Sequence, residues 1–229
     1  MNGSADFNRR RRFVSRGVAT TADHMGSNEA IPTALLQRIA GGEAVVYPTT
    51  TLPALGCRPE REPLDRLYQL KQRAANQPVS LAVANLSQAS AIAEIPEDTD
   101  ALLQSFPTGS ITLLLKARET LDARLGGELV AIRVVAHPTA IQLLQEVGPL
   151  TATSANLSGV TPETACGEAA NALGLPAEAV LNSNCPGGLP STLIRWNGHA
   201  SLSRSERVEV LREGIVSESE VMSWSKNLN

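Results

Sequence analysis

Hydrophobic positions along residues 31–194 follow two patterns in turn, one typical of helices and one typical of buried strands. Apolar residues from Ile31 to Ala40 recur at helical spacing, with Pro32 in the first turn and Gly41-Gly42 as a stop signal. The continuous apolar run from Ala44 to Tyr47 then predicts a buried strand. Segments of the two kinds alternate in this way as far as Ile194.

The remaining predicted elements continue that alternation. Helices are predicted over Leu64 to Lys71, Ala101 to Gln104, Thr139 to Glu146 and Glu163 to Leu173. Strands are predicted over Val79 to Val83, Ile111 to Leu115, Leu129 to Val135, Leu150 to Thr153, near Val180 to Leu181, and over Thr192 to Ile194. Such a succession is typical of an α/β fold with a largely parallel or mixed open sheet covered by helices.

The first 28 residues differ in composition from the rest of the chain. They hold five arginines (Arg9, Arg10, Arg11, Arg12 and Arg16) against two acids and show no apolar period, which predicts a disordered tail. A transit segment, an electrostatic arm and a plain solvated tail all fit this composition. The other residues hold 15 basic and 21 acidic side chains, a formal charge of −6.

The composition argues against two classes of protein, namely bulk nucleic-acid binders and pure RNA-binding modules. Proteins that bind nucleic acid through many phosphate contacts are basic, and aromatic residues make up only 3% of the chain, too few for a base-stacking platform. No apolar run approaches the roughly 18 residues of a membrane span, so we expect no membrane association. Three widely spaced cysteines without a secretory signal favour a reducing cytoplasm.

Several common chemistries lack their sequence signatures. The chain has no GxGxxG after a strand, no GxxxxGK[ST] and no GxSxG, so Rossmann, P-loop and α/β-hydrolase chemistry lose their usual support. The three histidines are isolated from one another and from the cysteines, so we predict no metal ligands from protein side chains. His137, directly before Pro138, is typical of a helix start.

Two polar features interrupt the predicted strands. Thr49, Thr50 and Thr51 follow the strand that ends at Tyr47, and strand ends of open sheets are where ligands bind. An ordinary polar turn explains the three hydroxyls equally well. Arg133 lies within an otherwise apolar strand and therefore needs a partner. That partner is either a structural carboxylate or a substrate carboxylate. The residues alone slightly favour the structural carboxylate.

Two further segments suit an anionic ligand. Lys71 and Arg73 stand where a helix gives way to a loop, and a compact cation beside a planar guanidinium suits a triphosphate. Cations at a helix C-terminus also complement the helix dipole, which is the alternative explanation. The segment from Thr151 to Gly159 has small side chains that allow backbone N–H groups to approach a phosphate, although a capped turn has the same composition.

Taken in order, these segments resemble the YrdC-like family of threonylcarbamoyl-AMP synthases. The resemblance covers about residues 31 to 214. It rests on an ordered set of motifs, which are Tyr47-Pro48-Thr49, Lys71-Gln72-Arg73, Pro107 to Thr112, Ala131-Ile132-Arg133-Val134, Ser154 to Gly159, and Ser191-Thr192. We therefore expect a YrdC-like catalytic domain over residues 29–214, with residues 1–28 as the tail and residues 215–229 as a C-terminal extension.

The resemblance implies a fold, a reaction and a set of site residues. It implies a single-domain twisted open mixed sheet with flanking helices around a wide, positively lined cavity. ATP, with Mg²⁺ present, would bind at Lys71, Arg73, Ser154, Asn156 and Arg212, and L-threonine at Thr49, Arg133 and Ser191. The implied reaction joins L-threonine, bicarbonate or CO₂, and ATP into threonylcarbamoyl-AMP for threonylcarbamoyladenosine modification of tRNA. Contacts with tRNA or double-stranded RNA and with tRNA-modification proteins would follow.

The chain departs from the family pattern on the threonine side. Thr50 stands where the family usually has an acidic residue, and Pro53 and Ala54 replace an aromatic-glycine pair. Two alternatives to the synthase therefore stay open. One is a paralogue acting as an RNA-binding or assembly factor, and the other is a nucleotidyl or carbamoyl transferase for another amine.

Overall fold

The computed structural model describes residues 30–197 and 202–226 and confirms the predicted α/β fold. The tail predicted over residues 1–28 lies outside the described residues. Within them, the α-helices are α1 (Thr33–Ala40), α2 (Arg61–Lys71), α3 (Leu86–Ser90), α4 (Thr99–Gln104), α5 (Pro138–Val147), α6 (Cys166–Ala172), α7 (Arg204–Arg207) and α8 (Glu218–Lys226). The strands are β1 (Val45–Tyr47), β2 (Ala54–Gly56), β3 (Ser80–Val83), β4 (Ile111–Lys116), β5 (Leu129–Val134), β6 (Leu150–Ser154), β7 (Thr192–Trp196) and β8 (Val208–Arg212).

The strands form one open sheet in the order β1-β2-β6-β3-β5-β4-β7-β8. Only the pairs β3/β5 and β4/β7 are parallel, and the other neighbours in the sheet are antiparallel. The sheet is therefore mixed, which is one of the two forms that the sequence predicted. The strand predicted near Val180 to Leu181 is wrong, because Val180 forms only an isolated bridge with Val46.

Several elements begin or end away from their predicted bounds, and some were not predicted. The helix predicted from Glu163 begins only at Cys166, and the helix predicted from Leu64 already begins at Arg61. His137 immediately precedes α5, as predicted. The unpredicted elements are β2, β8, α3 and α7. The C-terminal stretch around Trp224 forms α8.

Side chains of successive strand residues point to opposite faces of the sheet, and this alternation separates a core from a cavity. The larger hydrophobic cluster receives Val130 and Ile132 of β5, together with α2, α6 and α8. The smaller cluster lies around α1 and α5. Ala131 and Arg133, which alternate with Val130 and Ile132, line a cavity instead. The sheet thus presents a packed face and a polar face along the same strand.

The segment after residue 214 contributes to the larger core. Val216 and Val221 are buried within it, and Trp224 packs against Phe106 and Trp196 with ring centroids 5.8 and 6.1 Å apart. No helix in the described ranges is long and apolar enough to cross a bilayer.

Candidate active site

A cavity of about 420 Å³ opens on the polar face of the sheet, between β5, β6, β7 and the loops that follow β1 and α2. Six of the eight predicted binding residues line it, namely Arg73, Arg133, Ser154, Asn156, Ser191 and Arg212. Three of these are arginines, and the described residues that line the cavity include no aspartate or glutamate. The cavity is therefore strongly electropositive although the chain as a whole is acidic.

Arg133 is a buried cation at the floor of the cavity, with only 7% of its surface exposed. Its guanidinium donates to the Gly109 carbonyl (2.8 Å) and to the Thr51 hydroxyl (3.0 Å), with a longer contact to the Thr49 hydroxyl (3.4 Å). Among the described residues it forms no ion pair with a carboxylate. Burial lowers the pKa of Arg133 to about 10, so the group stays charged at neutral pH.

The threonine turn after β1 supports this guanidinium. Thr49 is buried and does not line the cavity; its hydroxyl donates to the Leu52 carbonyl (2.7 Å) and accepts the Thr51 amide (3.1 Å). Thr51, in contrast, lies on the cavity wall. Thr50 donates to the Thr108 carbonyl (3.3 Å) and lies 3.5 Å from Arg133. The turn thus surrounds the arginine with neutral oxygens and places no carboxylate beside it.

Lys71 is also buried, at 2% exposure, and lies behind the cavity wall. Its ammonium donates to the carbonyls of Ser154 (2.5 Å) and Asn156 (2.6 Å) and to the Asn156 side-chain oxygen (3.1 Å). Burial, with a smaller effect of the nearby Arg73 charge, lowers the pKa of Lys71 to about 8. In this arrangement all three ammonium protons hold the loop that follows β6, and a phosphate contact requires one of them to be released.

The end of α2 turns Arg73 toward the cavity. Gln72 adopts a left-handed conformation (φ 51°, ψ 42°), and the amides of Gln72 and Arg73 bond to the Gln69 and Tyr68 carbonyls. This pattern is a Schellman motif with glutamine in place of the usual glycine. The Arg73 guanidinium then donates to the Gln77 carbonyl (2.8 Å) and lines the cavity.

The loop from Ser154 to Gly159 is fastened to α2 from both sides. The Ser158 amide and hydroxyl both bond to the Lys71 carbonyl (3.1 Å each). The Asn156 amide group donates to the carbonyls of Leu157 (2.8 Å) and Val160 (2.5 Å). The loop from Ser154 to Gly159 is therefore held in place, and Ser154 and Asn156 line the cavity together with Arg73.

The opposite wall comes from β7 and β8. Arg212 donates to the Ser191 carbonyl (2.8 Å), and the Ser191 hydroxyl lies 2.7 Å from that of Thr112. Burial and the Arg73 charge lower the pKa of Arg212. A Cβ on Gly214 would lie 2.3 Å from the Pro190 carbonyl oxygen, so only glycine allows this close approach.

Four polar residues of the cavity wall were not assigned from the sequence. They are Thr51, Ser80, Thr112 and Thr153. Thr112 carried a usable signal, because it is the polar residue between Ile111 and Leu113 in a strand whose neighbours face the core. The described residues hold no cluster of three or more His, Cys, Asp or Glu side chains suited to a metal ion.

Sequence comparison places this geometry in a known family. The model for Sua5, YciO and YrdC proteins, described as telomere recombination, matches residues 37–214. The chain belongs to the Sua5/YciO/YrdC family. Among its Sua5/YciO/YrdC relatives, the threonylcarbamoyl-AMP synthase of Pseudoalteromonas translucida is 36% identical over 140 residues, covering 58% of this chain and 75% of that protein. The synthase of Photobacterium profundum is 30% identical over 168 residues, covering 70% and 91%.

Solved Sua5/YciO/YrdC structures share the fold. Sua5 from P. abyssi complexed with L-threonine aligns with a TM-score of 0.66 and 27% identity, over 78% of this chain and 52% of that one. YciO from E. coli aligns with a TM-score of 0.65 and 23% identity, over 84% and 95%, which supports the fold alone. This chain therefore spans about half the length of the P. abyssi protein and nearly all of YciO.

Proposed function

We propose that the protein makes L-threonylcarbamoyl-AMP from L-threonine, bicarbonate or CO₂, and ATP, with release of pyrophosphate, for threonylcarbamoyladenosine modification of tRNA. The observation that carries the proposal is the cavity with three arginines and no lining carboxylate, which suits two anionic substrates held side by side. The names of the relatives and the threonine complex of P. abyssi Sua5 support it.

Arg133 is our candidate for the threonine carboxylate. It is buried, it lines the cavity, and among the described residues it hydrogen-bonds only to hydroxyl and carbonyl oxygens. Because an isolated buried charge is costly, an incoming carboxylate would gain a strong charge-assisted pair. Ser191, across the cavity, offers a hydroxyl to the same substrate. Thr49 acts from behind by orienting Thr51 and Arg133.

The nucleotide would occupy the side formed by α2, the loop after β6, and β8. Arg73 and Arg212 supply cations for the phosphates, and Ser154 and Asn156 supply neutral polar groups. We assign Lys71 to this side as well, acting chiefly through the loop that its ammonium holds. Phosphoryl and nucleotidyl transfer rest mainly on positioning and charge neutralisation, so no acid-base pair is required.

The reaction follows from this distribution of charge. A neutral amine of threonine adds to CO₂ and becomes a carbamate, with loss of a proton. A carbamate oxygen attacks the α-phosphorus, and the bond from that phosphorus to the bridging oxygen breaks as pyrophosphate leaves. Neighbouring cations disfavour an ammonium and favour anions, so the arginines support both the free amine and the carbamate.

Mg²⁺ does not fit as an ion held by this cavity's own side chains. Protein-bound Mg²⁺ normally takes at least one carboxylate, and the described lining offers none. We therefore assign any Mg²⁺ to the nucleotide phosphates and water.

The wider setting is also part of the proposal. Three free, buried thiols are compatible with a reducing cytoplasm. Contact with tRNA or double-stranded RNA, and with tRNA-modification proteins, stays a prediction. The two alternatives, an RNA-binding or assembly factor and a transferase for another amine, are distinguished by salt-dependent RNA binding without turnover and by an amine-substrate screen.

Direct product analysis tests the proposal. The purified protein is incubated with ATP, L-threonine and isotopically labelled bicarbonate, and the products are identified by mass spectrometry. We expect an adenylate that carries both the threonine and the labelled carbon, together with pyrophosphate. A labelled adenylate formed with another amine but not with threonine would favour the alternative transferase, and no adenylate at all would refute the assignment.

A further inference from the structure

Two of the three cysteines lie next to each other beside the cavity. The Cys166 amide donates to the Ser183 carbonyl (2.9 Å), and the Cys185 amide donates to the Thr164 carbonyl (2.8 Å), so their segments run antiparallel. In that arrangement Ser183 lies opposite Cys166, and alternate residues of a segment share a face. Cys185 therefore faces the same side as Cys166, and both thiols are free and close enough to shift each other's pKa.

Their surroundings make the two thiols unequal. The Cys166 thiol, the Thr49 amide 3.4 Å away and the Arg133 charge together lower the pKa of Cys185, against the effect of burial. The interaction with Cys185 and burial raise the pKa of Cys166. Thiolates are the nucleophilic form of cysteine, so Cys185 is the attacking group of the pair and Cys166 the resolving group.

Cys57 provides the contrast. It is free and fully buried, and burial raises its pKa to about 11. Cys185 is 6% exposed and directly precedes the loop Pro186-Gly187-Gly188, whose last residue lines the cavity. Cys185 thus lies three residues along the chain from the cavity wall.

We propose that Cys185 and Cys166 form a site of reversible oxidation by peroxides. The Cys185 thiolate attacks one peroxide oxygen, the O–O bond breaks, and after protonation one water leaves and a sulfenic acid remains. The Cys166 sulfur then attacks the Cys185 sulfur, the S–O bond breaks, and a second water leaves as the disulfide forms. Two thiols and one hydrogen peroxide thus give one disulfide and two waters, and the peroxide accepts the two electrons.

The disulfide would affect the amino-acid side of the cavity. The Cys185 sulfur accepts the Thr49 amide, and the Thr49 hydroxyl contacts Arg133. Oxidation removes the anionic form of Cys185 and draws its sulfur toward Cys166, so both contacts weaken. We expect weaker threonine binding and unchanged nucleotide binding in the oxidised protein. This part of the inference rests on the proposed function, whereas disulfide formation does not.

Mass spectrometry tests disulfide formation without any turnover. The full chain is treated with hydrogen peroxide, its remaining free thiols are alkylated after denaturation, and it is cleaved at glutamate. Glu168 and Glu178 lie between the two cysteines, so a disulfide joins two peptides that are otherwise separate. We expect the Cys166 and Cys185 peptides as one species, lighter by two hydrogens than their sum, which separates on reduction, and an alkylated Cys57.

A matched variant gives the control. In Cys166→Ser the resolving thiol is absent, so Cys185 should form a sulfenic or sulfinic acid and no internal disulfide. Threonine binding should fall on oxidation of the parent protein and recover on reduction. Full alkylation of Cys166 and Cys185 after peroxide, or oxidation of Cys57 as fast as Cys185, would overturn the proposal. A disulfide without any change in threonine binding would retain the oxidation site and reject its link to Arg133.

Discussion

At the scale of single residues, the most unusual feature of the site is the buried charge of Arg133. A buried charge with only neutral partners costs stability and is retained where a ligand needs it. Replacement of Arg133 by methionine should therefore weaken threonine use without destabilising the fold. We expect KM for threonine to rise about 10- to 100-fold, from the loss of one charged hydrogen bond of about 1.5–3 kcal/mol.

Steady-state kinetics and thermal unfolding of Arg133→Met measure both effects. Arg133→Lys is the matched control, because it keeps the charge but loses the planar fork, and it should fall between the two. Unchanged threonine KM in Arg133→Met would remove Arg133 from the substrate site.

Lys71 gives the site a pH dependence. Its pKa of about 8 means that the ammonium is mostly protonated at neutral pH and loses its proton as the pH rises through about 8. The neutral amine has one fewer donor for the Ser154 and Asn156 oxygens, so ATP affinity should fall between about pH 7 and 9. Bound phosphates favour the charged amine and move the midpoint upward. Equilibrium binding of ATP across this pH range measures the effect.

The Lys71→Met variant separates this effect from other titrations. It should bind ATP more weakly at pH 7, and its affinity should stay flat over the same pH window. An identical decline in Lys71→Met and in the parent protein would show that another group titrates.

At the scale of elements, the junction between β8 and α8 positions Arg212. Alanine at Gly214 would place a Cβ 2.3 Å from the Pro190 carbonyl oxygen and 2.7 Å from the Ser191 carbonyl carbon. The junction must then shift, at a cost of about 1–3 kcal/mol in unfolding free energy. Because Arg212 is two residues away and bonds to Ser191, ATP affinity should fall with stability.

Urea denaturation and ATP titration of Gly214→Ala test this expectation. Gly41→Ala is the control, since Gly41 has φ −74° and its nearest neighbours would be 3.4 Å from a Cβ. We expect no more than about 0.5 kcal/mol of change there. Equal losses in both variants would contradict a special role for Gly214.

Element prediction from the sequence succeeded where periodicity was strong and failed where contacts decide. Strands such as Ile111–Lys116 carry clear apolar runs and were found. The strand Ala54–Gly56 is three residues long, lacks β-branched side chains, and exists because β1 and β6 pair with its two edges. The predicted strand at Val180 has suitable residues but only one bridging partner. Local pattern contains no information about such partners.

Prediction of the site from the sequence has the same limit, because local pattern does not show which side chains face the cavity. The sequence could identify Arg133 as a polar residue in a buried strand and Lys71-Gln72-Arg73 as a helix end. It could not reveal that Lys71 faces backbone carbonyls while Arg73 faces the cavity, because the left-handed turn at Gln72 decides this. Thr51 and Thr153 lie in segments that the sequence singled out, but hydroxyl residues are common in strands and turns, so the sequence did not show that these two face the cavity.

At the scale of the whole molecule, the C-terminal helix completes the core. Trp224 packs between Phe106 and Trp196, so Trp224→Ala should lower the unfolding free energy by about 2–3 kcal/mol, less than for a fully buried tryptophan. Chemical denaturation followed by circular dichroism measures the change. Trp224→Phe keeps an aromatic ring and should lose less than half as much. An unaffected Trp224→Ala variant would mean that α8 does not stabilise the domain.

Charge is distributed unevenly over the whole molecule, and this distribution supports the proposed binding of two anionic substrates. A chain with net charge −3 concentrates Arg73, Arg133 and Arg212 in one cavity without a lining carboxylate. Such an arrangement attracts anions locally, whereas the net acidic chain does not favour binding of nucleic acid through many phosphate contacts. It is therefore suited to a small anionic substrate and a nucleotide.

The most direct test of this account is pyrophosphate release from ATP, measured with and without L-threonine in the presence of bicarbonate. We predict negligible release with ATP and bicarbonate alone and a saturable increase as threonine is added. Pyrophosphate release that proceeds equally well without threonine, or fails at every threonine concentration while ATP still binds, would contradict the proposed synthase.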